Sequence, residues 1–150
     1  GMMGYFIGQF EHSLDDKGRV IVPSRLREMI DVSTDGEAFF VVPGMQGCLL
    51  LFTRSSWNAA AERLDIEARA DRSGETQNMK RKFFASSEQL NWDKQGRILV
   101  PESKRRSAGL NKDVVFIGNG DHIELWDAEK FRQFNEATDP AYDDFVSRLF

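Results

Sequence analysis

At 150 residues, 41% of them apolar and 29% charged, the chain has the size and composition of a globular domain with a real core. Its formal net charge of −4 is unusual for a nucleic-acid-binding domain, since such domains are mostly basic. No apolar run reaches the roughly 20 residues that span a bilayer, and the first ten residues lack the basic and apolar regions of a secretory signal, so we expect a cytoplasmic protein without a membrane segment.

The first part of the chain predicts short strands and helices in alternation. A strand ends near Leu14, and an Asp-x-x-Gly turn follows it, because Asp can bond its own backbone and Gly accepts positive φ. Pro23 ends the next strand and suits the start of a helix. Thr53 stands where a helix N-cap belongs. The predicted elements are strands ending at 14 and covering 20–22, 39–42 and 49–52, with helices over 24–30 and after 53.

The same order of elements recurs because the sequence is duplicated. Residues 14–23, LDDKGRVIVP, match residues 92–101, WDKQGRILVP, in the pattern apolar-Asp-x-x-Gly-Arg-apolar-apolar-Val-Pro. The offset falls from 78 residues at this motif to 74 at Phe52 and Trp126, and we place the four extra residues of the first copy in the polar loop 31–37. The second copy then has strands ending at 92 and covering 98–100, 114–117 and 123–126, with helices over 102–108 and after 127.

The duplication predicts a first half over residues 2–64 and a second half over residues 83–136. Residues 65–82 are expected to be a linker with the start of a connecting helix, because 65–77 is polar and contains Gly74. Residues 137–150 are expected to form a C-terminal helix or tail that packs on the core or on another subunit. About fifty residues rarely supply a sufficient core, so the two halves should share one interleaved sheet and the chain should form oligomers.

The Asp-x-x-Gly-Arg turns are the candidate functional motifs. An Arg on a short turn presents a planar guanidinium that suits phosphate oxygens and the O6/N7 edge of guanine. Asp15 can hold Arg19 in place or cap the turn, and Asp93 can do the same for Arg97. Taken alone, the motif is more often a salt bridge that only stabilises its turn.

The charges around both motifs favour a binding role. Residues 17–27 contain four basic and no acidic residues, and residues 80–106 contain eight basic against three acidic residues. Lys17 and Lys94 are therefore added to the candidate site from their charge and position. Repeated around an oligomer, such basic faces would neutralise several phosphates of DNA together.

These residues closely resemble the MraZ family of bacterial transcriptional regulators, whose halves are each similar to the AbrB-type swapped-hairpin domain. The resemblance rests on both motifs and on the segments FIG at 6–8, GCLLLF at 47–52, FF at 83–84 and 116–126. It implies an α+β, mainly β fold of tandem pseudo-symmetric, β-barrel-like halves with short helices. It also implies ring-like oligomers, no cofactor, and binding to direct repeats of double-stranded DNA in the promoter of the division and cell-wall gene cluster, within the nucleoid.

The family's Asp-x-x-x-Arg signature falls on Asp15 with Arg19 and on Asp93 with Arg97. The resemblance implies that both arginines contact DNA. Gln95 stands in the second copy where the first has Lys17, so the two copies are expected to contribute unequally.

Two other classes of function remain as alternatives. An enzyme is disfavoured because His12, His122 and Cys48 form no nucleophile or metal-ligand pattern, and the chain has no phosphate-binding glycine motif. The stronger alternative is a partner-binding scaffold or antitoxin-like protein of the same fold. Such antitoxins usually add an extended tail to one folded copy, whereas here a second folded copy follows the first.

Overall fold

A computed structural model describes residues 4–150; residues 2 and 3 of the predicted first half lie outside the described residues. The first copy forms β1 (Gln9–Ser13), β2 (Arg19–Ile21), α1 (Ser24–Arg27), α2 (Val32–Asp35), β3 (Ala38–Pro43) and β4 (Leu49–Phe52). Two longer helices follow, α3 (Arg54–Ala70) and α4 (Glu75–Ser86). The second copy forms β5 (Glu88–Asn91), β6 (Arg97–Leu99), α5 (Glu102–Ser107), β7 (Asp113–Asn119), β8 (His122–Asp127) and α6 (Ala128–Leu149).

The strands form one six-stranded antiparallel sheet, in the order β1-β7-β8-β4-β3-β5, and one two-stranded ribbon of β2 with β6. Among the strands formed by residues 4–150, only the hairpins β3–β4 and β7–β8 pair strands of the same copy. Every other pairing joins the two copies: β1 with β7, β5 with β3, β4 with β8 and β2 with β6. The predicted α+β class with a mainly β, swapped-hairpin core is confirmed, although α3, α4 and α6 are longer than the short helices expected.

The pairing follows a pseudo-two-fold axis that relates the copies. Val20 lies opposite Ile98, its equivalent 78 residues later, at the centre of the ribbon. In the sheet, Leu50 lies opposite its equivalent Glu124. The axis therefore passes through the middle of both the ribbon and the sheet, and each copy completes the structure of the other.

The register also corrects the position of the four extra residues in the first copy. Phe40 pairs with Gln89 as Val115 pairs with Glu11, which makes Phe40 and Val115 equivalent at an offset of 75 residues. Three of the extra residues therefore lie before β3, in the segment that contains α2. The fourth lies in the longer connection between β3 and β4, and the expectation that all four belong to 31–37 was wrong.

The two faces of the sheet are covered by different layers. Phe39 and Val41 of β3 face the main core together with Val20 and Ile98 of the ribbon. Phe40, between them, points to the opposite face. The core on the ribbon side also takes in Leu26 of α1 and Ala108 at the end of α5.

Helices cover the opposite face of the sheet. Phe40 stacks on Trp57 of α3 at 5.0 Å between ring centroids, and Trp57 stacks in turn on Phe83 of α4. On the second copy, Trp126 of β8 packs against Phe131 of α6, with ring centroids 5.4 Å apart. The ribbon with α1 and α5 thus forms one surface of the molecule, and α3, α4 and α6 form the other.

The segment predicted as a linker, 65–82, is mostly helical. α3 continues to Ala70 and α4 begins at Glu75, so only a short turn interrupts the helices. The carboxylate of Asp71 holds that turn by accepting hydrogen bonds from the hydroxyl and the backbone N–H of Thr76, at 2.7 and 3.0 Å. The Thr76 hydroxyl does most to keep the pKa of Asp71 well below its ordinary range. A polar, exposed helical hairpin has the composition of a linker, and this explains the difference.

Smaller differences concern the other helices. The predicted helix 24–30 ends at Arg27, and α2 forms inside the predicted loop because the carboxylate of Asp31 accepts from the N–H of Ser33 at 3.1 Å. The helix expected after 127 and the helix or tail expected over 137–150 are one continuous helix, α6, which runs through Pro140. None of the helices within residues 4–150 has the length and apolar character needed to cross a membrane.

Substitutions of the neighbours Ile98 and Leu99 test the arrangement of the ribbon on the sheet, because Ile98 is fully buried and Leu99 is 54% exposed. Ile98→Ala should lower the free energy of unfolding by about 2–5 kcal/mol, since it opens a cavity between ribbon and sheet. Leu99→Ala should change it by less than about 0.5 kcal/mol. Urea denaturation at one fixed protein concentration measures both, and equal losses would contradict the assignment of β6 faces.

Candidate nucleic-acid interface

The first candidate turn is closed by the carboxylate of Asp15. Its Oδ1 accepts hydrogen bonds from the backbone N–H groups of Lys17 and Arg19, at 2.9 and 2.8 Å, and its Oδ2 accepts from Arg19 Nε at 2.7 Å. The N–H of Arg19 does most to lower the pKa of Asp15, from 3.8 to about 2. Gly18 completes the turn at φ +85°, a conformation that residues with a Cβ rarely adopt.

The second turn repeats this arrangement. Asp93 Oδ1 accepts from the N–H groups of Gln95 and Arg97, both at 2.9 Å, and Asp93 Oδ2 accepts from Arg97 Nε at 2.7 Å. The N–H of Arg97 does most to lower the pKa of Asp93. The pairing of Asp with Arg, which the sequence left open between turn stabilisation and ligand contact, is thus present in both copies.

Each turn is held in place by hydrogen bonds from the other copy. The N–H of Val100 donates to the carbonyl of Gly18 at 2.9 Å, and the N–H of Val22 donates to the carbonyl of Gly96 at 3.0 Å. Arg105 of α5 donates to the carbonyl of Val100 at 2.9 Å and packs over Gly18, where a Cβ would meet its guanidinium. The turns are therefore fixed parts of the shared ribbon and not free loops.

The fixed turns leave the terminal guanidinium nitrogens of Arg19 and Arg97 free to bind a ligand. Within residues 4–150, neither terminal nitrogen of Arg19 or Arg97 donates to a protein acceptor, and the two side chains are 33% and 26% exposed. Asp15 and Asp93 bind only Nε and the backbone, so they position the guanidinium without consuming its outer donors. Lys17 and Lys94 are exposed on the same turns.

The outer face of the ribbon adds two residues that the sequence did not single out. Ile21 is 46% exposed and Leu99 is 54% exposed, while Val20 and Ile98 point into the core. The register places Arg19 opposite Leu99 and Ile21 opposite Arg97. The only sequence signal was the equivalence of Ile21 and Leu99 in the repeat, since three apolar residues in a row do not reveal which one faces solvent.

Positive charge is concentrated on the ribbon side. Without the buried Lys104, residues 14–30 and 92–110 carry eight Lys and Arg against five Asp and Glu, a net +3 in a chain of net −4, so the rest of the chain carries −7. The basic segment 80–106 of the sequence analysis also included Lys80–Lys82 and Lys104, but these residues are not part of the ribbon side in the structure. Lys80 lies on α4 and binds Asp65 of α3 at 2.7 Å, and Lys104 is buried beside Glu88.

The side chains of Cys48 and His122 are engaged elsewhere in the fold. Cys48 is buried against Val115 and Trp126, and burial, with a smaller effect of Glu124, raises the pKa of its thiol to about 12. His122 binds Asp121 beside it at 2.7 Å. Over the described range, 4–150, no group of three or more His, Cys, Asp or Glu side chains is placed to hold a metal ion.

Comparison with known proteins gives a consistent family. The sequence matches the family model described as "MraZ protein, putative antitoxin-like" over residues 5–80 and 83–145. It is 38% identical over 146 residues to the transcriptional regulator MraZ of Heliobacterium modesticaldum. It is 35% identical over 144 residues to the proteins of that name from Pediococcus pentosaceus and Mycoplasmoides gallisepticum. Each match covers 96% of this chain and 96% of the relative, and the relatives are named as regulators and not as enzymes.

The depressed pKa of Asp15 predicts how acid affects the turn. The carboxylate contributes stability that is complete above pH 3.8 and is lost as the pH falls towards about 2. Asp15→Asn should therefore lower Tm by a constant amount between about pH 7 and 5, and the gap should close below about pH 4. Asp16→Asn, which alters an exposed carboxylate bound to no donor within residues 4–150, is the matched control. A gap that persists unchanged to pH 2 would contradict this role of Asp15.

Proposed function

The chain belongs to the MraZ family, and from this premise we propose that it is a DNA-binding transcriptional regulator that contacts duplex DNA through the ribbon surface. We define the ribbon surface as the two Asp-x-x-Gly-Arg turns with the outer face of β2 and β6. One observation carries the proposal. The guanidinium groups of Arg19 and Arg97 are each fixed by a hydrogen bond from Nε to an Asp, and over the residues that the structure describes their terminal nitrogens remain free to donate to a ligand. The protein is not an enzyme.

The geometry suits DNA for physical reasons. A guanidinium already held by its own Asp loses little side-chain freedom when it binds a phosphate or a guanine edge. The major groove, about 12 Å wide, admits a two-stranded ribbon, and ribbon-based readers of this kind are known. Lys17 and Lys94 are exposed on the same turns, and in this proposal they contact the phosphates on either side.

The two copies form a surface that is only approximately symmetric. Lys17 in the first turn is replaced by Gln95 in the second, and Ile21 on β2 is replaced by Leu99 on β6. A DNA site read by such a surface has a direction. Direct repeats of one short element therefore fit this protein better than palindromes, in agreement with the promoter repeats that the family resemblance implies for the division and cell-wall gene cluster.

Assembly of several chains would place several ribbon surfaces in register. Beyond Pro140, α6 and the residue that follows it expose a row of apolar side chains: Tyr142, Phe145, Leu149 and Phe150. Exposed apolar rows of this kind are typical of subunit contacts. A ring-like oligomer would then bind several repeats together and gain affinity without new contacts in any one subunit. Its place in the cell would be the cytoplasm, on the nucleoid.

The alternative is a partner-binding scaffold or antitoxin-like protein, and the exposed row of α6 is the feature that favours it. A scaffold would not need the open guanidinium groups of the ribbon surface. The two functions therefore differ in their dependence on Arg19 and Arg97.

Arg19→Ala and Arg97→Ala should each weaken binding to the protein's own upstream DNA by about 10–100-fold, because each removes a charged contact to phosphate or guanine. Each should also reduce the slope of log affinity against log salt by about one. Lys82→Ala removes a positive charge from α4, on the far face of the sheet, and should leave affinity nearly unchanged. Fluorescence anisotropy at two salt concentrations, with scrambled DNA as competitor, measures all four proteins.

Equal losses in Arg19→Ala and Lys82→Ala would show that binding depends on total charge and not on the ribbon surface. Absence of any preference of the wild type for the upstream DNA would favour the scaffold. A change in molecular mass of Arg19→Ala would instead make the residue structural.

The proposed subunit contact has its own test. Phe145→Ser with Leu149→Ser should lower the mass measured by light scattering, because both changes remove exposed apolar surface from α6. Asp143→Ser with Asp144→Ser changes exposed polar residues of the same helix and should leave the mass as it is. An unchanged mass in the first variant would remove α6 from the interface.

A further inference from the structure

Resting on the proposed DNA-binding function, we propose that Ile21 and Leu99 read bases through apolar contact with the 5-methyl groups of thymine in the major groove. In this assignment the arginines of the turns contact phosphates or guanine edges, and the two aliphatic side chains add a preference for thymine. No catalytic or metal chemistry is involved.

The first observation is that both aliphatic side chains leave about half of their surface exposed to solvent on the outer face of the ribbon. β2 and β6 each have three residues, and only the central one of each, Val20 and Ile98, points into the core. Ile21 and Leu99 face outward, roughly half exposed. They are equivalent in the repeat, so both copies place an aliphatic residue on the outer face of the ribbon, although the copies differ at many other positions.

The second observation is the position of the arginines. Arg19 lies directly opposite Leu99, and Arg97 lies directly opposite Ile21. Opposed side chains on a ribbon have Cβ atoms about 5 Å apart, and alternate residues along a strand are about 7 Å apart. The four side chains therefore form a patch that fits within a groove about 12 Å wide.

The chemistry of this patch matches base edges. Arg makes two hydrogen bonds to guanine O6 and N7, and the thymine methyl is the apolar group that the major groove presents to aliphatic side chains. Each aliphatic side chain lies beside a guanidinium, so the preferred sites should place a thymine next to a guanine.

A second protein molecule fits this patch less well than DNA does. Burying Ile21 and Leu99 in a protein interface would also cover Arg19 and Arg97, whose carboxylate partners occupy Nε alone. Covering charged donors without acceptors costs free energy, whereas DNA supplies phosphate and base acceptors beside its methyl groups.

The test uses duplexes of about 30 base pairs that the wild-type protein recovers from a random pool. Each recovered duplex is also made with deoxyuridine in place of thymidine, which removes the methyl group and leaves the hydrogen-bonding edges. The wild type should bind the uracil duplex about 3–10-fold more weakly, as expected for losing one or two buried methyl groups. Ile21→Ala and Leu99→Ala should bind the thymine duplex more weakly by a similar factor, and should lose most of their sensitivity to uracil.

Val32→Ala is the matched control, since Val32 is a similarly exposed aliphatic residue on α2, away from the ribbon. It should keep the affinity and the uracil sensitivity of the wild type. Recovered duplexes that place thymine next to guanine, together with reduced uracil sensitivity of Ile21→Ala, would support the assignment.

The other outcomes are distinguishable. A wild type that binds thymine and uracil duplexes equally overturns the methyl contact while the proposed function stands. Weakened binding of Ile21→Ala with full uracil sensitivity, or with a changed mass in light scattering, makes the residue a subunit contact and also overturns it. Failure to recover any preferred duplex overturns the proposed function itself.

Discussion

Neither copy of the repeat completes a sheet by itself, because each supplies strands whose hydrogen-bond partners belong to the other copy. At the centre of this exchange Val20 lies opposite Ile98, with both side chains buried between the ribbon and the six-stranded sheet. The same pairing brings the carbonyl of Gly18 to the N–H of Val100. Core, ribbon and turns therefore form together, and a unit of about fifty residues obtains a core that it could not build alone.

The exchange also explains why short surface turns can present side chains in fixed positions. Each turn is closed by its own Asp carboxylate, which accepts from two backbone N–H groups and from the Nε of Arg. Its base is held by the opposite copy. A binding group on such a rigid mount pays less conformational entropy when it meets a ligand than one on a free loop.

The layering separates two kinds of surface. The ribbon side has the positive charge, the open guanidinium groups and two exposed aliphatic side chains, whereas the helical side has the aromatic contacts of α3 and α4 and the exposed apolar row of α6. A net charge of −4 for the whole chain is compatible with a DNA-binding surface, because the local field at the contact decides binding. If DNA binds the ribbon surface as proposed, the acidic remainder would disfavour contact through the other faces.

By itself the sequence determined the features that depend on local chemistry and on repetition. The matched motifs of residues 14–23 and 92–101 predicted the duplication, the turns and most of the strands, because Asp, Gly and Pro act within a few residues of themselves. They offered the pairing of Asp15 with Arg19 as one of two roles for the carboxylate, beside capping of the turn. The polar composition of residues 65–82 suggested a linker, but most of this segment is helical, since an exposed helical hairpin is as polar as a linker. Only the tertiary structure showed that each turn is held by backbone hydrogen bonds from the other copy, and that Lys80 lies on the helical side of the sheet. Both facts depend on strand pairing between residues far apart in the chain. The tertiary structure alone decided that Ile21 faces outward, because in a three-residue strand the direction of each side chain is set by its register and not by its hydrophobicity.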